Sequence, residues 1–288
     1  MMKQAPPRIP PTRTIGLESH PFHDLYHSVL TCSWSTYFGG FALGFLVANA
    51  LFAVLYTAAP GCIANAEPGS FYDAFFFSVQ TMATIGYGAM SPATPFGHVV
   101  VTLEALVGML GVAIVTGLTF AKFSRPTSRV IFSDKVVLAP RNGVPHLMFR
   151  MGNARRNMVL EAQLRVILLV EDRSEEGHVL RTPLELPLVR ERTALFALSW
   201  TAMHKIDAAS PFYGADAMDK LRAKKAEIYL SLMGHDETLA QQIHARYHYE
   251  LKDIVTGVRF EDVLVIAEDG TRLLDYRKFH DVVPLEKS

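Results

Sequence analysis

From Thr14 to Ala121 the chain contains no lysine and no arginine. That gap excludes an arginine-rich, voltage-sensing span. Over the whole chain 28 basic residues balance 28 acidic ones, so net charge gives no argument for a nucleic-acid partner. Cysteine is scarce. Cys32 and Cys62 lie at opposite ends of one apolar stretch, so they cannot pair within a chain whose stretch crosses a membrane, and no disulfide is expected. No nucleophile elbow, phosphate loop or pair of catalytic acids is present, which argues against an enzyme. The histidines lack metal-ligand spacing, so no resident metal is expected. There is no internal repeat, and the proline-rich segment Pro6 to Pro11 reads as a flexible tail.

What is present falls into two compositions. Of the 28 basic residues, all but Lys3, Arg8, Arg13, Lys122, Arg125 and Arg129 lie beyond Arg129. Before that point two long apolar stretches stand out, from about Trp34 to Ala59 and from about Gly97 to Phe123. The first covers nearly 40 Å as a helix, enough to cross a bilayer with tilt. It is too long, and begins too late, for a signal peptide. The run Phe71 to Met82 between them covers only about 18 Å as a helix, so it is expected to enter the membrane and return. Ser70 and Asp73 read as a capping box at its start. The basic residues flank both spans on the same side, which makes both termini cytoplasmic. Pro21 to Ser28 has the pattern of a short helix lying along the inner membrane surface.

Thr84-Ile85-Gly86-Tyr87-Gly88 follows the short helix. Gly86 and Gly88 can adopt backbone angles closed to other residues, and successive carbonyls facing one way can replace the water around a dehydrated cation. The loop resembles the Thr-Val-Gly-Tyr-Gly carbonyl filter of potassium channels. Ile85 replaces valine, which exchanges one β-branched side chain for another and keeps the backbone stiff. The C-terminal end of the short helix points its negative dipole toward the cavity beyond.

After Pro126 the pattern changes to strands. Leu160, Ala162, Leu164, Val166 and Leu168 alternate with Glu161, Gln163 and Arg165, which reads as a strand with one buried face and one wet face. Turn signals at Arg141-Asn142-Gly143, Ser174 to Gly177 and Glu268-Asp269-Gly270 separate several short strands and argue for a β-sandwich. Asp216 to Ala226 is the one helix expected there.

Taken with the filter, Ala121 to Pro126, Gly152-Asn153-Ala154-Arg155, His204-Lys205-Ile206-Asp207, Ser210 to Tyr213 and Gly257 to Phe260 resemble the inward-rectifier potassium channels, most closely their prokaryotic members. The resemblance covers nearly all of the chain after about residue 20. It implies three parts: a cytoplasmic tail and interfacial helix at 1–33, a two-span pore domain at 34–126, and an all-β, immunoglobulin-like cytoplasmic domain at 127–288. It implies a homotetramer in the inner cell membrane. The loop alone points the same way, because a ring of carbonyls needs several copies and closed rotational symmetry supplies them.

The resemblance also implies site roles. Val112 and Phe120 lie eight residues apart on one helix face. The resemblance turns that face to the pore, with Phe120 as a gate near the inner helix crossing. Gly108 is placed as a hinge, with Gly117 as a further flexible glycine. Strong rectifiers carry an acid where this chain has Val112, and that acid draws in internal polyamines or Mg2+. Glu161, matching a pore-lining acid of the cytoplasmic domain, is expected to compensate in part, giving weak to moderate rectification. Glu104, an ionisable residue inside the second span, reads as hydrogen-bonded structure behind the filter. Lys122, Arg125, Arg129 and Arg155 form a basic group for anionic lipids, at about 1 kcal/mol per charge near the surface; in the family, phosphoinositides act near these positions. The rival readings are a membrane-anchored sensor whose β-sandwich binds a ligand, and a transporter with broken helices. The filter argues against the first and the single loop against the second.

Overall fold

The computed structural model describes residues 24–155, 157–266 and 270–285. Lys3, Arg8, Arg13, the proline-rich tail, Pro21 to His23 of the interfacial segment and Glu268-Asp269 lie outside the described residues. The chain divides at Arg125/Pro126 into two units.

The first unit is helical. It comprises α1 (Leu25–Thr31), α2 (Trp34–Thr57), α3 (Phe71–Met82) and α4 (Pro95–Phe123), with a two-residue β1 (Ile63–Ala64) paired antiparallel to β2 (Ser91–Pro92). The long helices start where sequence chemistry allows. Ser33 accepts from the Thr36 backbone N–H, and Thr94 accepts from that of Gly97 ahead of Pro95 in the first turn. Both are long and apolar enough to cross a membrane. Their surfaces carry exposed Phe38, Leu43, Leu51, Leu103, Met109 and Ile114. In water such a surface would be a liability, whereas in lipid it is the ordinary state.

The short helix α3 has the predicted bounds, but its cap is half of a capping box. Ser70 Oγ accepts from the Asp73 N–H, as expected. The Asp73 carboxylate accepts instead from the Glu67 N–H at 2.8 Å, so it fastens the preceding turn and not the cap residue.

The second unit is a sandwich of two five-stranded sheets. One contains β3 (Val130–Phe132), β4 (Val136–Arg141), β5 (Val144–Asn153), β9 (Ser199–Lys205) and β12 (Ile254–Thr256). The other contains β6 (Val159–Arg173), β7 (Val179–Glu185), β8 (Arg192–Phe196), β10 (Glu227–Asp236) and β11 (Gln241–Glu250). Leu147, Phe149 and Met151 of the first sheet share one core with Leu164, Leu168, Ile228 and Leu230 of the second. The small pairs β13 (Val258–Phe260) with β16 (Val282–Pro284) and β14 (Leu264–Ile266) with β15 (Arg272–Leu274) complete the unit, as does α5 (Ala217–Ala223). Asn142 and Gly143 both take positive φ, 52° and 77°, the requirement of a tight hairpin between β4 and β5.

The alternation predicted for β6 holds from Ala162 to Leu168 and breaks before it. Val159 is buried, whereas Leu160 is only partly so. Glu161 adopts φ 47° and has no Cα partner in either flanking ladder, so it is the extra residue of a β-bulge that shifts the phase.

Candidate functional site: the loop after the short helix

The loop Thr84 to Gly88 leaves the C-terminal end of α3. Its first amides fold back on that helix. Thr84 N–H donates to Thr81 O at 3.0 Å and Ile85 N–H to Gln80 O at 2.8 Å. Beyond them φ is positive at every second residue: 56° at Thr84, 59° at Gly86 and 81° at Gly88. Two of the three are glycine, where this handedness costs least. The far side of the loop is tied down by Asn65 Nδ2 donating to Ala89 O and by the β1–β2 pair. In the single chain the whole loop is exposed, Tyr87 to 74%.

Beneath the loop lies a buried polar cluster. Tyr56 of α2 donates to Glu104 Oε2 of α4 at 2.6 Å, and Ser78 of α3 bonds both Glu104 Oε1 and Asn49 Oδ1 of α2. All but Tyr56 are fully buried, and Tyr56 is nearly so. Glu104 was legible as a polar residue in an apolar span. Asn49 stands out in the same way, whereas Tyr56 and Ser78 carry no signal of their own, because their partners are on other helices.

The remaining candidates fall in two groups. On α4, Gly108 is buried against the end of α3, while a β-carbon on Gly117 would meet nothing within 4 Å. Val112 and Phe120 are exposed to 59% and 74%. The helix runs unbroken from Pro95 to Phe123 past both glycines. Among the bases, Lys122 is buried and its ammonium donates to the carbonyls of Val29, Leu30 and Cys32 at 3.0, 3.2 and 2.7 Å. The ring centroids of Trp34 and Tyr37 lie 5.3 and 5.7 Å away. It thereby caps the C-terminus of α1, where unpaired carbonyls and the negative dipole end favour a cation. Arg125 is exposed and reaches Leu30 O at 3.4 Å.

In the β unit Arg129 is exposed. Arg155 pairs with Asp236 at 2.9 Å and donates to Thr127 Oγ1 at 2.8 Å. Burial pushes the Asp236 carboxyl up. The Arg155 bond, with those from Leu239, Asn157 and Thr238, outweighs this and holds it below the usual carboxylate range. Glu161 is exposed at its bulge. Gly234, on the neighbouring strand, makes room for that bulge, since a β-carbon there would stand 2.6 Å from Val159 Cγ1.

Two membrane-length helices around a short capped helix and a glycine-bearing loop, followed by a β-sandwich, make up the architecture of a two-span pore-loop channel. Comparison with known proteins agrees. Residues 130–288 match the inward rectifier potassium channel C-terminal domain and residues 40–125 match the ion channel family. The chain is 45% identical to the inward rectifier potassium channel Kirbac3.1 of Paramagnetospirillum magnetotacticum over 93% of its own length and 91% of that protein's. It is 34% identical to the human G protein-activated inward rectifier potassium channel 3 over 78% of its length, spanning 58% of that relative. It is 30% identical to the bovine ATP-sensitive inward rectifier potassium channel 12 over 89% of its length, spanning 65% of that relative. The chain belongs to the inward rectifier potassium channel family. It is a membrane protein, and its family's function is potassium conduction.

Proposed function

We propose that four copies of the chain surround one pore and conduct K+ passively, the ion shedding its water among the carbonyls of Thr84, Ile85, Gly86, Tyr87 and Gly88. The observation that carries this reading is the alternation of φ at Thr84, Gly86 and Gly88. Reversing backbone handedness at every second residue turns successive carbonyls toward one side, which an ordinary strand or helix does not do. Pinning the Ile85 amide to Gln80 fixes the loop against α3, whose C-terminal dipole favours a cation beyond it. Exposure of the loop in a single chain fits a role on a shared axis.

In this reading Phe120 narrows the inner pore mouth and Val112 lines the same face above it. Gly117, with free space around it, is the better placed of the two glycines to absorb a bend. Both termini are cytoplasmic and the host is the inner cell membrane. Glu161 supplies negative charge to the cytoplasmic pore, where polyamines or Mg2+ block weakly. Anionic lipids, phosphoinositides among them, act on the basic group. Arg125 and Arg129 are the members whose charge is exposed, since Lys122 is engaged by α1 and Arg155 by Asp236.

The test is rubidium uptake into liposomes holding the purified protein, with barium block, sodium competition and graded anionic lipid. Uptake that barium blocks and sodium does not compete for is expected. Equal uptake of sodium and rubidium would reject the filter.

A further inference from the structure

Hydrogens can be counted in the cluster beneath the loop. Three contacts link its polar atoms: Asn49 Oδ1 with Ser78 Oγ at 2.9 Å, Ser78 Oγ with Glu104 Oε1, and Glu104 Oε2 with Tyr56 Oη at 2.6 Å. Each needs one hydrogen between two oxygens. The two hydroxyls bring one each. Asn49 brings none, because its amide nitrogen faces the Phe45 carbonyl at 2.7 Å and the Met82 sulfur at 3.5 Å. Turning that amide over would set its oxygen against two acceptors, so its orientation is fixed.

An ionised Glu104 therefore leaves one contact as two bare oxygens in a buried site. A protonated Glu104 supplies the missing hydrogen, and every group is then satisfied. Among the described residues no basic side chain reaches the Glu104 carboxylate, whose partners are Tyr56 and Ser78. The sequence has no lysine or arginine from Thr14 to Ala121 in this copy or in any other. Lys122, on the same helix as Glu104, lies about 27 Å further along.

We infer that Glu104 is a neutral carboxylic acid at working pH, and that it donates through Ser78 to Asn49 as a relay pinning α3 to both spans. Its carboxyl acts as a hydrogen donor and not as a charge. In this role Glu104 is a positioning residue: it holds the short helix, and through it the loop, without touching the ion. That consequence rests on the filter reading, whereas the hydrogen count does not.

Two measurements on the full-length protein in lipid separate these points. The first is the carbon-13 carboxyl spectrum of glutamate-labelled protein at neutral pH, taken as the difference between wild type and Glu104→Gln. A protonated carboxyl signal is expected, and an ionised one would overturn the inference. The second is rubidium uptake against sodium. Glutamine keeps one donor for Ser78 and one acceptor for Tyr56, so Glu104→Gln should stay within about twofold of wild type. Glu104→Ala and Ser78→Ala should lose about tenfold in selectivity. Loss in Glu104→Gln equal to that in Glu104→Ala would mean that the charge is what the site uses, and would also overturn it. A protonated signal in a wild type that does not discriminate rubidium from sodium would leave the relay standing and reject the filter.

Discussion

The Met82 carbonyl lies 2.7 Å from the position a β-carbon on Gly108 would take, with Met82 Cγ at 3.0 Å. Helix α4 passes the end of α3 so closely that only a hydrogen fits. Gly108 therefore has a packing duty in this conformation. Gly108→Ala should displace the C-terminal end of α3 at a cost of about 1–3 kcal/mol, as overpacking does elsewhere. Gly117→Ala should leave the fold of the single chain intact, because a β-carbon there would meet nothing within 4 Å. Thermal melts of the purified full-length protein in detergent check both, and equal melting of the two variants would remove the duty assigned to Gly108.

Lys122 holds the last turn of α1. Removing its ammonium in Lys122→Met leaves the Val29, Leu30 and Cys32 carbonyls without that donor, a loss of about 1–3 kcal/mol in the docking of α1. A spin label on exposed Tyr26 should become more mobile in this variant and stay as in wild type in Arg125→Gln.

The role proposed for Phe120 at the inner pore mouth is tested by Phe120→Ala. Trimming the ring should raise rubidium flux, as expected of a constriction that excludes water. Unchanged or lower flux in a well-folded variant would place the gate elsewhere.

Glu161 owes its exposure to the bulge, and the bulge needs Gly234. Gly234→Ala collides with Val159 Cγ1, and Leu160 O lies 3.1 Å from the new carbon. It should lower the melting temperature of the β unit and alter rectification together. Glu161→Gln should weaken rectification alone, and steep rectification that survives it would remove Glu161 from the role.

His204 gives the β unit a pH dependence. Burial pushes its pKa below the ordinary 6.5, against the opposing pull of its bond to the Pro187 carbonyl and of Asp207, and His146 lowers it further. Nδ1 lies 2.8 Å from Pro187 O and Nε2 2.8 Å from Ser210 Oγ, so the neutral ring donates on one side and accepts on the other. The unfolded chain binds the proton more readily than the folded one. The stability from this residue is thus complete above about pH 6.5 and is lost as pH falls through the lower folded value. Melting temperature should decline below pH 6.5, and less steeply in His204→Gln.

The sequence revealed some of this and hid the rest for physical reasons. Helix α3 announced itself at both ends, because Ser70 caps it locally and the loop begins where it stops. The strand β6 was visible, and Glu161 is exposed as expected, yet Leu160, assigned to the buried face, is only partly covered. A bulge adds one residue to a period-two pattern, and the glycine that permits it sits on another strand. Lys122 was legible as a charge at a membrane boundary. Its hydrogen bonds to oxygen all go to the main chain, which every residue has and no composition displays. The cluster around Glu104 joins three helices, so only its two members inside apolar spans could be flagged in advance.

The carbonyl socket around Lys122 also constrains how this joint could change through mutation. Arg155 and Asp236 meet through side chains, so exchanging their charges could in principle restore a broken pair. Among the described residues Lys122 has no acidic partner, and its shortest contacts are to peptide carbonyls that survive any substitution leaving α1 helical. The carbonyl side of the joint therefore does not depend on which side chains α1 carries, whereas the other side depends on a single ammonium that no exchange of charges can repair.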